Sequence, residues 1–474
     1  MTLIDLSPVF EFLGRFLGGP ENALIIVGAL IKIGLVLGHV LGIIPLIIWA
    51  ERKIIGWVQD RPGPNRVGPF GLLQGIVDGG KLFLKEDFIP AGADRMLYLM
   101  GPPLVVIPAF LAMCIIPWGP VIEGQALLDL MTFVGMQNYW SSTANMPLAI
   151  TNPNIGVLYV FAITSVGVYG ITLAGWASEN KWSLLGGIRA SAQMISYEIS
   201  LSLSIVGVLL IVGSLNLYDI IAAQDGPFMG TWWLTFLRWN VFAQPVAFLL
   251  FVIAMFAETN RLPFDLAEGE AELTGGFHTE YSSMKFALFF LGEYANMITV
   301  SAVCATLFLG GYLLIPEFVA VGILESVLTW INVEAGLTIP LTMAVVLASF
   351  MAPLGLALKI GFFLFVFIMA RAVYPRFRYD QVMNLGWKIM LPIGLANLVV
   401  TAIGIAVIGW IAGPRFEDVI NDWKIVIGAV TFAGLVVLEI VATKKRNATL
   451  RADYQNIKYT KSRPTRRRRA ASAA

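Results

Sequence analysis

Apolar residues along this chain come in long blocks, and the charged residues gather in the gaps between them. Nine blocks can be traced, at about 24–50, 98–117, 155–177, 195–213, 240–257, 286–315, 338–370, 387–412 and 424–443. Each meets or exceeds the roughly 20 residues, range about 17–25, that a membrane-spanning helix requires. The seventh is long enough to tilt or kink, and Pro353 with Gly355 marks the place. The pattern predicts an all-α polytopic membrane protein of about nine transmembrane helices, with amphipathic helices in its cytoplasmic loops. Composition agrees: 57% of the 474 residues are hydrophobic and 13% are charged, against about 25% charged in soluble domains.

Charge in the gaps sets the orientation. Segments 51–97, 178–194, 258–285, 371–388 and 444–474 hold 26 of the 32 lysines and arginines. The positive-inside rule puts these segments in the cytoplasm, the N-terminus outside and the C-terminus inside. Residues 1–443 then form one transmembrane domain. Residues 444–474, ending PTRRRRAASAA, form a basic cytoplasmic tail suited to anionic lipid or an acidic partner rather than to nucleic acid. No cleavable signal is expected, because residues 1–22 carry Asp5, Glu11 and Glu21 and the first apolar block is long enough to remain as a span. In the first cytoplasmic segment Pro62, Gly63 and Pro64 break any helix, while 72–83 has the spacing of a surface helix. Asp78, Lys81, Lys85, Glu86 and Asp87 alternate in sign, as on an exposed helix face. Glu51 and Arg52 close the first span and either pair with each other or face a cavity.

The chemistry concentrates in AETNRLPFDLAEGEAELTGGFHTEY, residues 257–281, where Glu258, Asp265, Glu268, Glu270, Glu272 and Glu280 share one arginine, Arg261. Acids crowded between two spans repel one another and are costly to desolvate, so they form either a solvated loop or the lining of a water-filled path. Pro263-Phe264 and Gly275-Gly276-Phe277 set apolar residues among them, which weighs toward the path. Glu198, in MISYEISLSLSIV, and Glu293, about 12 Å along a helix from Lys285, carry the series into spans at the same cytoplasmic end as Glu258. The plain alternative is an acid near a helix end that reaches back to water. Shared depth favours a set that exchanges protons near neutral pH. Lys32 near the outer end of its span and Glu439 near the inner end of its own are explained by snorkelling. Lys359, about 18 Å from Arg371 along a helix, must face the bundle interior or water, and its role is open.

Cys114 and Cys304 are too few for an iron–sulfur cluster, which needs four thiolates. His39 and His278 have no ligand spacing around them, and no Gly-rich phosphate fingerprint follows a strand. The chain is therefore expected to bind no metal and no redox cofactor, leaving any electron carrier to a partner. A last segment, RAVYPRFRYDQVMNLGWKIMLP at 371–392, places Arg371, Arg376, Arg378 and Lys388 around Asp380. It reads equally as a positive anchor, as a docking surface for soluble partners, or as a positive wall facing the acidic loop.

Three stretches together, ERKIIGWVQDRPGPNRVGPFGLLQGIVDGGKLFLKE, AETNRLPFDLAEGEAELTGGFHTEY and RAVYPRFRYDQVM, closely resemble the signatures of one family. It is the quinone-chamber membrane subunit of respiratory complex I, called the H-type subunit in bacteria and equivalent to the mitochondrially encoded first ND subunit. The resemblance covers about residues 20–410, in the family's order. It departs at Met369-Ala370, where many members have a tryptophan nearby, and beyond about 413. It implies a protein at the heel of the membrane arm that forms the lower part of a quinone tunnel. By resemblance, Glu51, Arg52 and Asp78 lie near that tunnel, Arg261, Asp265 and Tyr294 at its junction with an acidic path, and Arg371 and Arg376 on the cytoplasmic side. Glu198, Glu258, Glu268, Glu270, Glu272 and Glu293 match the acidic path toward the proton pumps. Quinone is then the substrate, while NADH, FMN and iron–sulfur clusters belong to partner subunits. The implied partners are hydrophilic quinone-module subunits at the cytoplasmic loops, with small and antiporter-like subunits in the membrane. The location is the bacterial cell membrane. Membrane-bound hydrogenase or deazaflavin dehydrogenase relatives would keep the fold and change the input module. A stand-alone secondary transporter is a third class, but transporters usually repeat their core in two halves, and the 257–281 pattern occurs once.

The charge bias makes the tail cytoplasmic. A cysteine introduced as Ser472→Cys should react with a membrane-impermeant reagent in inside-out vesicles and not in intact cells; labelling confined to intact cells would invert the topology.

Overall fold

The computed structural model describes residues 20–122, 124–125, 128, 146–228, 231–266, 269, 274–314, 317–335, 343–412, 426–434 and 436. Ten helices carry the fold: α1 Pro20–Val58, α2 Gln74–Leu84, α3 Arg95–Met113, α4 Gly156–Ala177 and α5 Lys181–Val212 come first. They are followed by α6 Pro245–Glu258, α7 Ser283–Phe308, α8 Glu317–Ala335, α9 Met343–Val373 and α10 Leu391–Ala412. Among the described residues, seven helices are long and apolar enough to cross a membrane, and Pro245–Glu258 and Val319–Trp330 are shorter apolar helices. Strand is confined, among the described residues, to Val121–Ile122 paired antiparallel with Met146–Pro147.

Seven of the nine expected spans arise as span-length helices among the described residues and the fifth as the shorter Pro245–Glu258, with physical corrections at their ends. The fifth starts late because Gln244 leaves helical geometry and Pro245 opens α6 at its first turn, where a missing N–H costs nothing. The fourth starts 14 residues earlier than 195, taking in the segment 181–194 that its charges and Gly186-Gly187 marked as loop. Those glycines belong to the helix because backbones close on them. A Cβ on Gly186 would sit 2.7 Å from Gly276 Cα and Phe277 N, and Gly175 faces Ser183 O and Gly187 almost as closely. Helix α8 was not expected, since Glu317, Glu325 and Glu334 interrupt its apolar residues. The long helix α9 runs unbroken through Pro353. The ninth expected span is described only as helix at 426–434 and at 436; its remainder and the tail 444–474 lie outside the described residues.

Helix α7 is the hub. It is the most deeply buried of the spans and touches α1, α2, α3, α6 and α9. Helices α3, α4, α5 and α10 follow one another around it, each packed on the next, while α1 and α10 present most of their surface outward. The amphipathic α2 seats Gly75 against the Pro45 backbone of α1 and exposes Ile76, Val77, Phe83 and Leu84.

Beyond α7 the chain turns through Gly310 and Gly311, both at positive φ. Lys359 of α9, 7% exposed, donates to the carbonyls of Leu309 at 2.6 Å, Gly311 at 2.9 Å and Leu313 at 2.6 Å. Its ammonium also lies 4.5 Å from the centre of the Trp239 ring. An ammonium has three N–H donors and no acceptor, so all three are used on carbonyls of the turn that follows the helix. At the opposite end of α7, the turn Gly276–His278 wedges His278 among Phe277, Phe286 and Phe290, with ring centres 5.1, 5.3 and 6.1 Å away.

Both ends of α7 can be probed through stability. Lys359→Met keeps length and loses the donors, so the assembled protein should lose about 3 kcal/mol of stability, read as a lowered unfolding midpoint. Burial pushes the His278 imidazole down from 6.5 to about 4. Between those values the unfolded chain takes up a proton that the folded chain refuses, so stability falls as pH drops through that window. The expected loss is roughly 2 kcal/mol by about pH 5, and His278→Asn should remove most of the difference in midpoint between neutral and mildly acid buffer.

Candidate functional site

Helix α6 ends in a turn that decides where the central arginine points. Asn260 takes a left-handed conformation, φ 49°, which Asn tolerates better than most side chains. The N–H of Arg261 bonds Phe256 O at 3.2 Å and that of Asn260 reaches Ala257 O at 3.4 Å. These are the paired bonds of a Schellman ending with Asn as its left-handed residue. Glu258 is thereby left on the last helical turn, and Arg261 is turned back toward α1 and α7.

Arg261 is 7% exposed. Its Nε lies 2.7 Å from Glu293 Oε1 of α7 and its Nη1 3.5 Å from Glu51 Oε1 of α1. The guanidinium carbon stands 4.2 Å from the centre of the Tyr294 ring, a cation–π arrangement. Tyr294 Oη donates to Glu51 Oε2 at 2.6 Å, and Arg371 at the end of α9 donates to Glu51 Oε1. Beside them Arg376 donates to Asp265 Oδ2 at 2.7 Å. Phe377 N, donating to Pro263 O at 3.1 Å, ties the two segments together. Arg261, Arg371 and Arg376 thus meet Glu51, Glu293 and Asp265, three charges against three. Burial works against the charge of Arg261, but Glu293, Tyr294 and Glu51 outweigh it and raise its pKa above the ordinary arginine value.

A cavity of about 420 Å³ opens against this cluster, lined by Arg261, Asp265, His278, Glu293, Arg371 and Arg376 among others. Two smaller cavities continue inward. One of about 30 Å³ is lined by Asn260, Glu258 and Glu293, and one of about 20 Å³ by Glu258 and Glu198. Each is large enough for about one water molecule. Consecutive cavities share a carboxylate: Glu293 joins the first to the second, and Glu258 the second to the third. Ser165 of α4 donates to Glu198, and Glu258 Oε2 is buried with no hydrogen-bond partner among the described residues.

Of the residues singled out from sequence, the structure gathers Glu51, Arg261, Asp265, Glu293, Tyr294, Arg371 and Arg376 into one cluster, with Glu258 and Glu198 strung behind it. It does not bring in Arg52 and Asp78. They form a separate, partly exposed pair at 2.5 Å between α1 and α2, and neither lines the cavity. Glu268, Glu270 and Glu272 lie outside the described residues. In the segment after α9, Arg376 pairs with Asp265 of the acidic loop, while Arg371 pairs with Glu51 of α1. His278 lines the main cavity without having been singled out, and nothing in its spacing signals that. Asn260 and Gln193 were also passed over, since two amides 67 residues apart give no signal until the fold brings them together. Among the described residues no group of three or more His, Cys, Asp or Glu is placed to hold a metal ion.

The sequence comparisons bear on this same region. The family model described as NADH dehydrogenase matches residues 31–402, which include every member of the cluster and the path behind it. The H-type subunit of NADH-quinone oxidoreductase from Leptospira biflexa is 46% identical over 351 residues, 73% of this chain and 86% of that relative. An H-type subunit of the same enzyme in Koribacter versatilis is 44% identical over 386 residues, 81% of this chain and 98% of the relative. NADH-quinone oxidoreductase subunit 8 of Rhodothermus marinus is 44% identical over 362 residues, covering 76% and 92%. With a family match over most of its length and relatives this similar almost end to end, the chain belongs to the NADH dehydrogenase family.

Proposed function

We propose that this chain is the membrane subunit of a proton-pumping NADH:quinone oxidoreductase in which quinone reduction is coupled to proton movement. The observation that carries the reading is the row of three cavities joined by shared carboxylates, running from the arginine cluster through Glu293 and Glu258 to Glu198. The main cavity, within the usual size range of ligand pockets, serves as the inner part of a quinone tunnel. Its polar wall of Arg261, Arg371, Arg376 and Asp265 suits a headgroup with two carbonyl oxygens. Partner subunits supply the electrons through their flavin and iron–sulfur clusters. Two electrons from the partner subunits and two protons convert quinone to quinol; protons drawn from groups at the site leave negative charge behind there, and the carboxylates of this chain respond to that charge by taking up protons in turn.

Glu293 is the natural first group to respond, since it borders both the main cavity and the inner one while held by Arg261. A change in that pairing is felt electrostatically by Glu258, which borders the same inner cavity and in turn faces Glu198 across the next one. Glu268, Glu270 and Glu272 are proposed to extend the acidic path, and Arg52 with Asp78 to flank the tunnel near α2. The cytoplasmic loops receive the hydrophilic quinone-module subunits, and antiporter-like neighbours in the bacterial cell membrane receive the signal. The N-terminus faces out and the tail faces in.

Gln retains the size of Glu but cannot titrate. Glu198→Gln or Glu293→Gln should leave the complex assembled on a native gel while lowering NADH-driven quinone reduction and vesicle acidification together, by about 10²-fold or more, a typical weight for a lost acid–base group. Glu325→Gln, on the exposed side of α8, should be silent. Full activity with intact pumping in both cavity variants would reduce these acids to fold supports.

A further inference from the structure

The turn that carries Glu258 and Arg261 has its two ends tied to a single side-chain nitrogen. Gln193 of α5 is 0% exposed. Its Nε2 donates to Ala257 O at 2.9 Å and to Phe264 O at 2.9 Å, with Asn260 Oδ1 at 3.1 Å. Ala257 precedes Glu258 and Phe264 precedes Asp265, so the two carbonyls bracket the charged residues of the turn. The next residue of α5, Met194, grips the same turn through its sulfur, 3.5 Å from Asn260 Nδ2. One helical turn further along, the Tyr197 ring packs edge-on against Phe264, with ring centres 5.5 Å apart.

We propose that Gln193 is a positioning residue of the coupling machinery: by closing the base of the 257–264 turn it holds Arg261 between Glu51 and Glu293, and Glu258 toward Glu198. The inference rests on the carboxylate path proposed above and adds to it the group that sets the path's geometry. The chemistry demanded at this position is narrow. The turn offers carbonyl oxygens and an amide oxygen, so the occupant must donate twice. It must also be neutral, because a lysine would place a fourth cation beside Arg261, and an ionised glutamate would face oxygens alone. Asparagine is one methylene too short to reach both carbonyls from α5. Only the Nε2 side of the Gln193 amide is engaged: Oε1 has no hydrogen-bond partner among the described residues. The side chain is thus held here for its two donors, and an unused buried acceptor is tolerated, which is costly in a packed interior.

Arg261 leans on this base because it gains from two acids at once. A shift of about 1 Å in a positioned group can cost on the order of 10²-fold in rate, and the distances to Glu293 and Glu51 leave little slack. Removal of the base lets the turn drift, so Glu293 loses its partner before quinone chemistry has called for it.

The test uses the assembled complex in membranes and reads quinone reduction and acidification against pH, per complex on a native gel. Gln193→Leu should assemble and lose about tenfold or more in turnover, with a displaced pH profile. Gln193→Glu should show a new limb: its neutral acid donates once and its ionised form not at all, so activity is best at acid pH and falls as pH rises. Wild-type turnover and profile in both variants would overturn the inference. So would a loss that tracks lost assembly while the profile per complex stays wild-type, or failure of both variants to assemble, either of which makes Gln193 a fold support. Glu258→Gln in the same assay separates the two proposals. If it is inactive while the Gln193 variants are normal, only the positioning role falls; if it too is normal, the path reading falls.

Discussion

A guanidinium removed from water has to be paired, and around Arg261 that requirement organises everything nearby. Its partners come from two other parts of the chain: Glu51 from α1, and Glu293 with the Tyr294 ring from α7. Arg371, from the end of α9, joins the same cluster through Glu51. Four segments must therefore converge on a volume the size of one side chain before the charge is satisfied. Leaving a buried ion without its partner is worth several kcal/mol, so the cluster fixes how these helix ends meet. It also makes them mutually sensitive. Proton affinity at any one acid depends on the arrangement of all the others, which is what a site that converts ligand chemistry into proton movement needs.

The broad fold was legible because lipid permits so few backbone solutions: long apolar blocks became helices, and the acids that interrupted them stood out. Glu198, Glu258 and Glu293 could be singled out for that reason alone, and the family resemblance in the three motifs supplied roles for Glu51 and the other members of the cluster. Local reading failed where tertiary contacts override composition. The segment 181–194, with a lysine, an arginine and paired glycines, has the composition of a loop, yet it is helix because backbones close on Gly186 and Gly187. Helix phase likewise separates neighbours that a linear reading groups together: Arg52 pairs with Asp78 between α1 and α2, while Glu51 one position earlier is 5% exposed and joins the arginine cluster. Gln193 was invisible for a related reason: an uncharged amide signals nothing until its acceptors, 64 and 71 residues away, are in place.

The two ends of α7 show one physical problem solved twice. Beyond its C-terminal end a lysine meets bare carbonyls; nearer its N-terminal end an arginine meets acids. The first solution uses every N–H on backbone acceptors, which cannot titrate, so it is suited to anchoring. The second uses carboxylates, which can. The helix that links them is also the most enclosed of the spans, so a disturbance at the arginine meets a fixed point at the lysine.

The size of the inner compartments has a consequence for what can travel past Glu258. At about 20 and 30 Å³, each accommodates about one water. A proton can be relayed across a single water and a carboxylate without either changing place. A hydrated sodium ion does not fit such a volume: it would have to leave most of its water outside and make do with the few oxygens of Glu198, Glu258, Thr164 and Thr299 among apolar walls. On the path proposed above, size alone would do the sorting: each compartment is a room too small for an ion that must bring its solvent along.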